Sequence, residues 1–411
     1  MKIKLSVLFV TLLLLSGCVG IKDGSGWSSS TKSEFLDILK NDDYASICNK
    51  TELYKKVKDN EDSKMMTSLL ISYSKNLANG CINMGSFRAS QASKRHRGID
   101  TKYVTYPQKV NTKNIVLKLK AGKTIKEILA PYTPTYRQFF ALIKVYQGLD
   151  DKSSVTAKKV RVSIERVKLL KPHLGKTYAL VNIPEFKVRI IENGKNSLEM
   201  KVITGKTNKQ TPIFSATLSY INLNPQWSVP DSIARNEIIP RLIRDKGYAA
   251  RRNMAICAGG YNLNGKKLDP RKLDLKKYVG GKGYVPFKFV QRPSSRNALG
   301  RVKFIFPNPY SVYMHDTGNK GLFNRKVRAF SHGCIRLSQP QNMLKHISGK
   351  YSTKSYASVQ KWYKSRKTTH INLSRKLPVH TAYLTAYVNE AGELLTFNDI
   401  YGYDKSQRLN F

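Results

Sequence analysis

The sequence predicts an α+β protein of several domains: a mostly helical N-terminal scaffold domain, a β-rich domain interrupted by a capping insert, and a helical or extended C-terminal tail. The chain has 411 residues, which is enough for two or three domains. Apolar residues follow helical spacing up to about residue 172, and from about residue 177 they alternate or form β-branched runs, as strands do. A hydrophobic content of 41% is typical of a folded chain.

The first residues predict export. Residues 1–17 begin with lysines and continue into an apolar run that is too short to span a bilayer, which is typical of a signal peptide. "LSGC" then resembles a bacterial lipobox, which would make Cys18 the lipidated first residue; a plain signal peptide is the alternative. Val19 is not the aspartate that often retains lipoproteins at the inner membrane. We therefore expect a periplasmic chain held by a lipid, at the outer rather than the inner membrane, with no membrane-spanning segment.

A Gly/Ser-rich tether is predicted over 18–33 and the helical scaffold over 34–172. "SEFLDILK" and "EDSKMMTSLLISYSKNLANG" have helical spacing, and the second helix should stop at Gly80. "YTPTYRQFFALIKVYQGL" should be a helix capped by Thr133 with Pro134 in its first turn. The predicted core-facing residues are Phe35, Ile38 and Leu39 in the first segment, and Tyr136, Phe139, Phe140, Ile143 and Tyr146 in the third.

The β-rich domain is predicted from "TYALVNI", "FKVRIIE", "LEMKVITG", "TLSYINLNP", "RVKFIF" and "SVYMHD", with a hairpin turn at Asn193–Gly194. The insert at 226–285 interrupts it. The insert opens with a helix-like "DSIARNEIIPRLIR", in which Pro240 should kink or end the helix. Such an insert is usually a lid beside a site. Ser338 and Gln341 form a capping-box pattern before a further helix.

The net charge of +45 indicates an anionic partner. No nucleic-acid-binding motif is present, and export removes the chain from chromosomal DNA, so an anionic wall polymer or membrane headgroups are the expected partners. Cys48 and Cys81 could form a disulfide in an exported chain, or remain reduced. Cys257 should be free. The absence of a CxxC pair argues against a structural zinc site.

The chemistry-bearing stretch is "HDTGNKGLFNRKVRAFSHGCIRL", residues 315–337. Cys334 follows a glycine that permits a tight turn, and His315 ends a predicted strand, so the loop between them could bring imidazole and thiol together for nucleophilic catalysis. A buried structural cysteine is one alternative. A metal site is the other, although Asp316 is the only additional ligand in the stretch.

These residues resemble the signature of the L,D-transpeptidase family, His-x(14–17)-[Ser/Thr]-His-Gly-Cys, with 15 residues between His315 and Ser331. The resemblance covers about 166–345, and "NPQWSVPDSIARNEIIPR" is similar to the large subfamily of diderm bacteria with a helical scaffold and a capping subdomain. It implies a catalytic domain at 173–345, with 226–285 as the capping insert, and a C-terminal extension at 346–411.

The resemblance also implies residue roles. Cys334 would be the nucleophile and His315 the general base and acid, oriented by the backbone carbonyl of Asp316. The backbone N–H groups of His332, Gly333 and Cys334 would form the oxyanion hole. The His332 side chain is expected to brace the loop rather than to act directly.

Substrate contacts are expected from Arg336, Ser331, Trp227 and Tyr248. For the two aromatic residues, packing under the lid is an equally good interpretation. The pKa of Cys334 beside an imidazole is expected to be lowered. The resemblance implies no cofactor and no metal.

The implied reaction is attack on the third-residue carbonyl, usually of diaminopimelate, in a peptidoglycan tetrapeptide stem. D-Ala leaves, and an amine resolves the thioester to give a 3→3 crosslink. The alternatives are L,D-carboxypeptidase action, D-amino-acid exchange or protein attachment to the wall by the same site, and a non-catalytic wall-binding lipoprotein. The expected partners are stem peptides, the anionic wall or membrane surface and other wall-synthesis proteins.

Overall fold

The computed structural model describes residues 24–48, 52–95 and 98–409. The predicted signal peptide at 1–17 and the lipidation site at Cys18 lie outside the described residues. In the part of the chain that is described, no helix combines the length and the apolar composition needed to cross a bilayer.

The N-terminal region is helical, as predicted. Its helices are α1 (Ser29–Asn41), α2 (Glu52–Asp59), α3 (Ser63–Asn79), α4 (Met84–Arg95), α5 (Thr112–Lys120), α6 (Ile125–Leu129), α7 (Arg137–Gln147) and α8 (Val155–Lys168). The predicted stop at Gly80 is confirmed, because its N–H caps the last turn of α3. Phe35, Ile38 and Leu39 are buried in the shared helical core, as expected.

The predicted tether at 18–33 is wrong over its last residues. Helix α1 begins at Ser29, and the Ser28 side chain caps it in a reciprocal capping box with Thr31. Trp27 lies within the helical core and its indole N–H donates to Thr67 Oγ1 at 2.9 Å. A serine-rich run therefore serves here as a helix start, which composition alone does not distinguish from a linker.

The predicted start of α7 is also wrong. Thr133 has an extended backbone, and its hydroxyl donates backwards to the Leu129 carbonyl rather than capping α7. The cause is Pro134, which disfavours helical conformation in the residue before it. The helix begins at Arg137 instead. Phe140, predicted to face the core, is 50% exposed.

A mixed sheet forms the second domain. Its strands and those of the smaller sheets are β1 (Thr177–Asn182), β2 (Lys187–Glu192), β3 (Lys195–Gly205), β4 (Ser215–Leu223), β5 (Trp227–Ser228), β6 (Met254–Ala258), β7 (Phe287–Gln291), β8 (Val302–Ile305), β9 (Met314–His315), β10 (Ala329–Ser331), β11 (Ile335–Leu337), β12 (Thr369–Ala382), β13 (Ala386–Val388) and β14 (Leu394–Thr396). The strands pair in the order β10-β3-β11-β9-β8-β4-β12-β1-β2. Because β2 also pairs with β3, the sheet closes into a barrel.

The barrel has its own core and also packs against the helices. In β1, Ala179 and Val181 lie in the barrel core, whereas Tyr178 and Leu180 lie in the helical core. This alternation is the two-residue period of a strand buried on both faces. The predicted β2–β3 hairpin is confirmed, with Asn193 and Gly194 both at positive φ.

The insert between β4 and β8 is larger than predicted. It contains α9 (Asp231–Ile233), a π-helical turn (Ala234–Ile238), α10 (Ile239–Arg244), α11 (Tyr248–Arg251) and the three-stranded sheet β5-β7-β6. Because β7 lies in this sheet, the insert continues past 285. Pro240 does not end the helix. The π turn before it widens the backbone where the proline ring would meet the preceding carbonyls.

The C-terminal segment is not an extension outside the sheet, as 346–411 was expected to be. It contains α12 (Pro340–Tyr351), α13 (Tyr356–Lys364), α14 (Tyr403–Ser406) and the long strand β12. Strand β12 pairs with β4 on one side and β1 on the other, so it is a central strand. The prediction of a capping box at Ser338 is wrong, because α12 begins at Pro340 without a side-chain cap.

The cysteines take one of the two arrangements that the sequence left open. Cys48 and Cys81 form a disulfide with an S–S distance of 2.08 Å, and Cys257 is buried and free. The bridge joins the segment after α1 to the segment between α3 and α4, within the helical scaffold.

Candidate active site

Strand pairing places the imidazole and the thiol on one face of the barrel sheet. Strands β9 and β11 run parallel, with Met314 opposite Ile335 and His315 opposite Arg336. Side chains alternate along each strand and paired residues point to the same side, so Cys334 is a diagonal neighbour of His315. Both residues line the same cavity of about 630 Å³.

His315 is held in one orientation by the backbone. Its Nδ1–H donates to the Asp316 carbonyl at 2.5 Å, which leaves Nε2 as the proton acceptor. Burial, with the nearby charge of Arg336 as the next cause, lowers the pKa of His315 to about 3. The imidazole is therefore neutral near pH 7 and can take a proton.

The Asp316 side chain holds the neighbouring backbone and a lysine. Its carboxylate accepts from the backbone N–H groups of Arg301 at 2.9 Å and Thr317 at 2.7 Å, and from Lys320 Nζ at 2.6 Å. Gly300 leaves room for it, since a Cβ there would lie 2.3 Å from the carboxylate. Asp316 therefore acts on the imidazole through its backbone carbonyl and not through its carboxylate, as the resemblance implies.

The pKa of Cys334 is shifted in the direction opposite to the expected one. Burial raises the pKa of its thiol, and hydrogen bonding with Tyr313 and the charges of Lys303 and Arg336 oppose that shift only in part. The thiol donates a weak hydrogen bond to the Ser311 carbonyl at 3.7 Å. The resting pair is therefore a neutral thiol beside a neutral imidazole, and the thiolate must form during attack.

The nucleophile loop turns at Gly333, whose φ of +117° is open to glycine alone. The Gly333 N–H donates to Ser331 Oγ at 3.1 Å, so it is not a free oxyanion donor as predicted. The N–H groups of His332 and Cys334 make no hydrogen bond within the described residues. Ser331 Oγ also donates to the Cys334 carbonyl at 2.5 Å, so the serine braces the loop rather than presenting a free hydroxyl to substrate.

His332 points towards the insert. Its Nε2 lies 2.6 Å from Oε1 of Glu237 in the π turn. Burial is the largest cause of a lowered His332 pKa, with Glu237 opposing it. A neutral ring with the proton on Nε2 donates to the carboxylate, which joins the nucleophile loop to the insert.

The remaining predicted residues line the cavity. Trp227 and Tyr248 line its insert side and also pack against the insert core; their contact with substrate stays a prediction. The Tyr248 hydroxyl accepts from Arg241 at 3.0 Å. Arg336 lies beside His315 on β11, and its Nε has no partner in the described structure.

Sequence reasoning missed Glu237, Lys303 and Thr211. Lys303 lies opposite His315 on β8, and its ammonium is 4.2 Å from the Tyr313 ring centroid. The alternation in "RVKFIF" could have placed Lys303 on the site face. No local pattern marks Glu237 or Thr211, which reach the loop through tertiary contacts. The described residues contain no group of three His, Cys, Asp or Glu side chains arranged for a metal ion.

Comparison with known proteins agrees with this geometry. The family model for the L,D-transpeptidase catalytic domain matches residues 176–353. A protein of Haemophilus influenzae, provisionally named an L,D-transpeptidase, is 30% identical over 285 residues; the match covers 68% of this chain but 55% of that protein. The chain thus spans about half of its relative's length.

Solved structures give more distant similarities. An L,D-transpeptidase from Mycobacterium smegmatis is 14% identical, with 50% of this chain and 58% of that chain covered and a TM-score of 0.22. L,D-transpeptidase 3 from Mycobacterium tuberculosis is 11% identical, with 50% and 60% covered and a TM-score of 0.22. By the matched family model, residues 176–353 form an L,D-transpeptidase catalytic domain, and the chain is similar over 285 residues to a relative provisionally named an L,D-transpeptidase.

Proposed function

We propose that the chain is a cysteine-dependent peptidoglycan L,D-transpeptidase that forms 3→3 crosslinks. The observation that carries the proposal is the shared face of β9 and β11, on which His315 and Cys334 line one cavity. A thiol suits this reaction because its thioester is readily captured by an amine.

In the first step, His315 Nε2 takes the Cys334 proton while the sulfur attacks the carbonyl carbon of the third stem residue. The oxyanion lies at the free N–H groups of His332 and Cys334. The C–N bond to D-Ala then breaks, and the imidazolium returns the proton to the leaving nitrogen. A neutral resting pair suits this sequence, because the proton moves only when substrate is present.

In the second step, an amine from a neighbouring stem attacks the thioester and His315 takes the proton that this amine loses. The C–S bond breaks, and the proton returns to the sulfur. If water takes the place of the amine, the product is a tripeptide and the enzyme is an L,D-carboxypeptidase. The insert above the cavity favours the amine, since it screens the thioester from bulk water.

The test is incubation of the full-length protein with tetrapeptide muropeptides, followed by mass spectrometry. Dimers that have lost D-Ala support crosslinking, whereas tripeptide monomers alone would support carboxypeptidase action. The variant Cys334→Ala should release no D-Ala. If turnover survives in that variant, Cys334 is not the nucleophile and the proposal is wrong. If the wild type binds wall without any turnover, the proposal is also wrong and a wall-binding tether is favoured.

The proposal includes a periplasmic location with a lipid on Cys18 and attachment at the outer membrane. Support comes from the lipobox-like sequence and from the Cys48–Cys81 disulfide, which is typical of an oxidising compartment. The net charge of +45 supports contact with anionic wall or membrane surfaces. Labelling of cells with a palmitate analogue should mark the wild type but not Cys18→Ala, and fractionation should place the label in the outer membrane.

A further inference from the structure

A second cavity, which we call the arginine groove, adjoins the catalytic cavity and has a volume of about 590 Å³. Four arginines line it, and they are Arg251, Arg252, Arg296 and Arg336. No carboxylate lies among its described lining residues. Arg252 and Arg336 also line the catalytic cavity, so the two cavities meet at these side chains. A concave surface that carries charge of only one sign attracts ligands of the opposite sign.

The groove lies where the insert meets the barrel. Its insert wall comes from the end of α11 and the segment after β7, and its barrel wall is the turn at 317–319 after β9. Asn297 is buried in the insert wall, and its side-chain amide donates to the Pro225 carbonyl at 3.1 Å. A Cβ on Gly318 would lie 3.3 Å from the Ser295 carbonyl oxygen, so the two walls approach closely. The contacts of the chain itself therefore hold the groove in shape.

Three of the four guanidinium groups keep donors for a ligand. Arg251 is paired with Asp245. Within the described residues, Arg252, Arg296 and Arg336 form no ion pair with a carboxylate. Arg296 uses one N–H on the Arg251 carbonyl at 3.2 Å. Arg336 Nε is buried without a hydrogen-bond partner in the described structure, and such a donor is costly to leave unpaired.

The donors in the groove determine which ligand chemistry it favours. A guanidinium group donates two parallel N–H bonds to the oxygens of a carboxylate or a phosphate. A neutral or cationic ligand would leave the charges of the lining uncompensated. The groove therefore favours an oxyanion.

Arg336 connects the groove to the catalytic pair, since it lies opposite His315 on β11. Burial is the largest cause of the pKa shift at both His315 and Cys334, and the charge of Arg336 lowers both pKa values. Lys303 acts in the same direction but lines only the catalytic cavity. An anion beside Arg336 would offset its charge, so both pKa values would rise.

We propose that the arginine groove is an anion site that binds a carboxylate or phosphate group and thereby changes the reactivity of Cys334 through Arg336. The inference goes beyond the proposed function and does not depend on it, because the groove takes no part in the attack on the donor carbonyl. Two sources supply this chemistry, a carboxylate of a wall peptide and free phosphate.

The experiment measures anion binding to the full-length protein by isothermal titration calorimetry at constant ionic strength, with chloride as the balancing anion. N-acetyl-D-alanine represents the peptide carboxylate, and inorganic phosphate represents the free anion. The second readout is the pH profile of iodoacetamide alkylation at Cys334, followed by mass spectrometry with and without each anion.

The test variant is Arg296→Gln, because Arg296 lines the groove but not the catalytic cavity. The matched control is Arg271→Gln. It removes an exposed insert arginine that is paired with Asp269 and lines neither cavity.

At least one of the two anions should bind saturably to the wild type, and the tighter one identifies the source. Its affinity should fall about tenfold in Arg296→Gln, the size expected for one charge-assisted hydrogen bond, and stay unchanged in Arg271→Gln. The bound anion should move the midpoint of Cys334 alkylation to higher pH.

The anion site is overturned if neither anion binds saturably, if Arg296→Gln binds as the wild type does, or if both variants lose affinity equally. Binding that leaves the alkylation profile in place would overturn the link to Cys334. Neither readout uses turnover, so a failure of the proposed function would be seen separately, in the muropeptide assay.

Discussion

The Thr211 hydroxyl donates to the Gly333 carbonyl at 2.8 Å, directly beneath the nucleophile loop. The same oxygen accepts from the Gly205 N–H at 2.8 Å. Thr211 is fully buried, and a Cβ at Gly205 would lie 2.1 Å from the Lys209 carbonyl. One side chain thus connects the end of β3 to the turn that presents Cys334. The backbone at Gly205 lies so close to the Lys209 carbonyl that only glycine fits at position 205.

Thr211→Val should therefore leave two buried backbone groups unpaired. We expect the free energy of unfolding to fall by about 1–3 kcal/mol. We also expect a lower rate of Cys334 acylation, because the Gly333 turn loses its support. Urea denaturation and single-turnover D-Ala release measure the two effects. Thr211→Ser keeps the hydroxyl and should restore most of the rate; a serine variant as slow as the valine variant would contradict this role.

The reactivity of Cys334 should depend on its cationic neighbours. Its pKa is raised by burial, and Lys303 and Arg336 oppose that rise. Lys303→Met should therefore raise the pKa further and slow iodoacetamide alkylation at a given pH. The rate follows the thiolate fraction, so its midpoint should move to higher pH. Lys326→Met, which removes an exposed lysine from the segment between β9 and β10, is the control and should leave the profile in place.

Acid should destabilise the protein through His380. Its Nδ1 is 2.7 Å from Ser215 Oγ in the β12–β4 pair, and burial, with Lys171 as a lesser cause, lowers its pKa to about 4. The unfolded chain binds this proton below about pH 6.5, whereas the folded chain does not until about pH 4. Stability should consequently fall as pH falls through that window, by a contribution of about 3 kcal/mol.

Denaturation at a series of pH values checks this prediction by comparing the wild type with His380→Gln. The difference between the two curves should change between pH 6.5 and pH 4 and be flat above pH 7. His315 titrates at still lower pH and is common to both proteins, so it cancels from the difference. A constant difference across the window would rule out His380 as the acid-sensitive group.

The Cys48–Cys81 disulfide should stabilise the scaffold. The two residues are separated by 33 positions, and closing a loop of that size in the unfolded chain corresponds to about 3–4 kcal/mol. The double variant Cys48→Ser/Cys81→Ser should lower the free energy of unfolding by that order. Thermal denaturation with and without a reducing agent measures it. The reducing agent should lower the Tm of the wild type but have little effect on the double variant, and a wild type insensitive to reduction would contradict the prediction.

Local signals in the sequence predicted the elements that local chemistry determines. The change of period placed β1 at Thr177, the stop at Gly80 ended α3, and two residues at positive φ, Asn193 and Gly194, made the hairpin. The start of α7 was missed because Thr133 and Pro134 form a plausible cap in sequence. The extended conformation imposed on Thr133 by Pro134 excludes that cap.

The sequence predicted only part of the site, because only part of the site is marked by local signals. The spacing of His315 and Cys334 is a local signature, and so is the glycine between His332 and Cys334. The contact between Glu237 and His332 joins residues 95 positions apart and has no local signal. The pKa direction of Cys334 depends on burial, which only the assembled cavity defines.

The place of β12 in the barrel has a consequence for biogenesis. Strand β12 separates β1 from β4, yet it begins 187 positions after the end of β1 and 146 after the end of β4. For the exported chain proposed above, the two neighbours cannot be joined until residue 382 has crossed the membrane. We expect a chain still threaded through its export channel to lack the assembled cavity, so that the thiol gains its reactivity only after translocation has carried almost the whole polypeptide to the wall side.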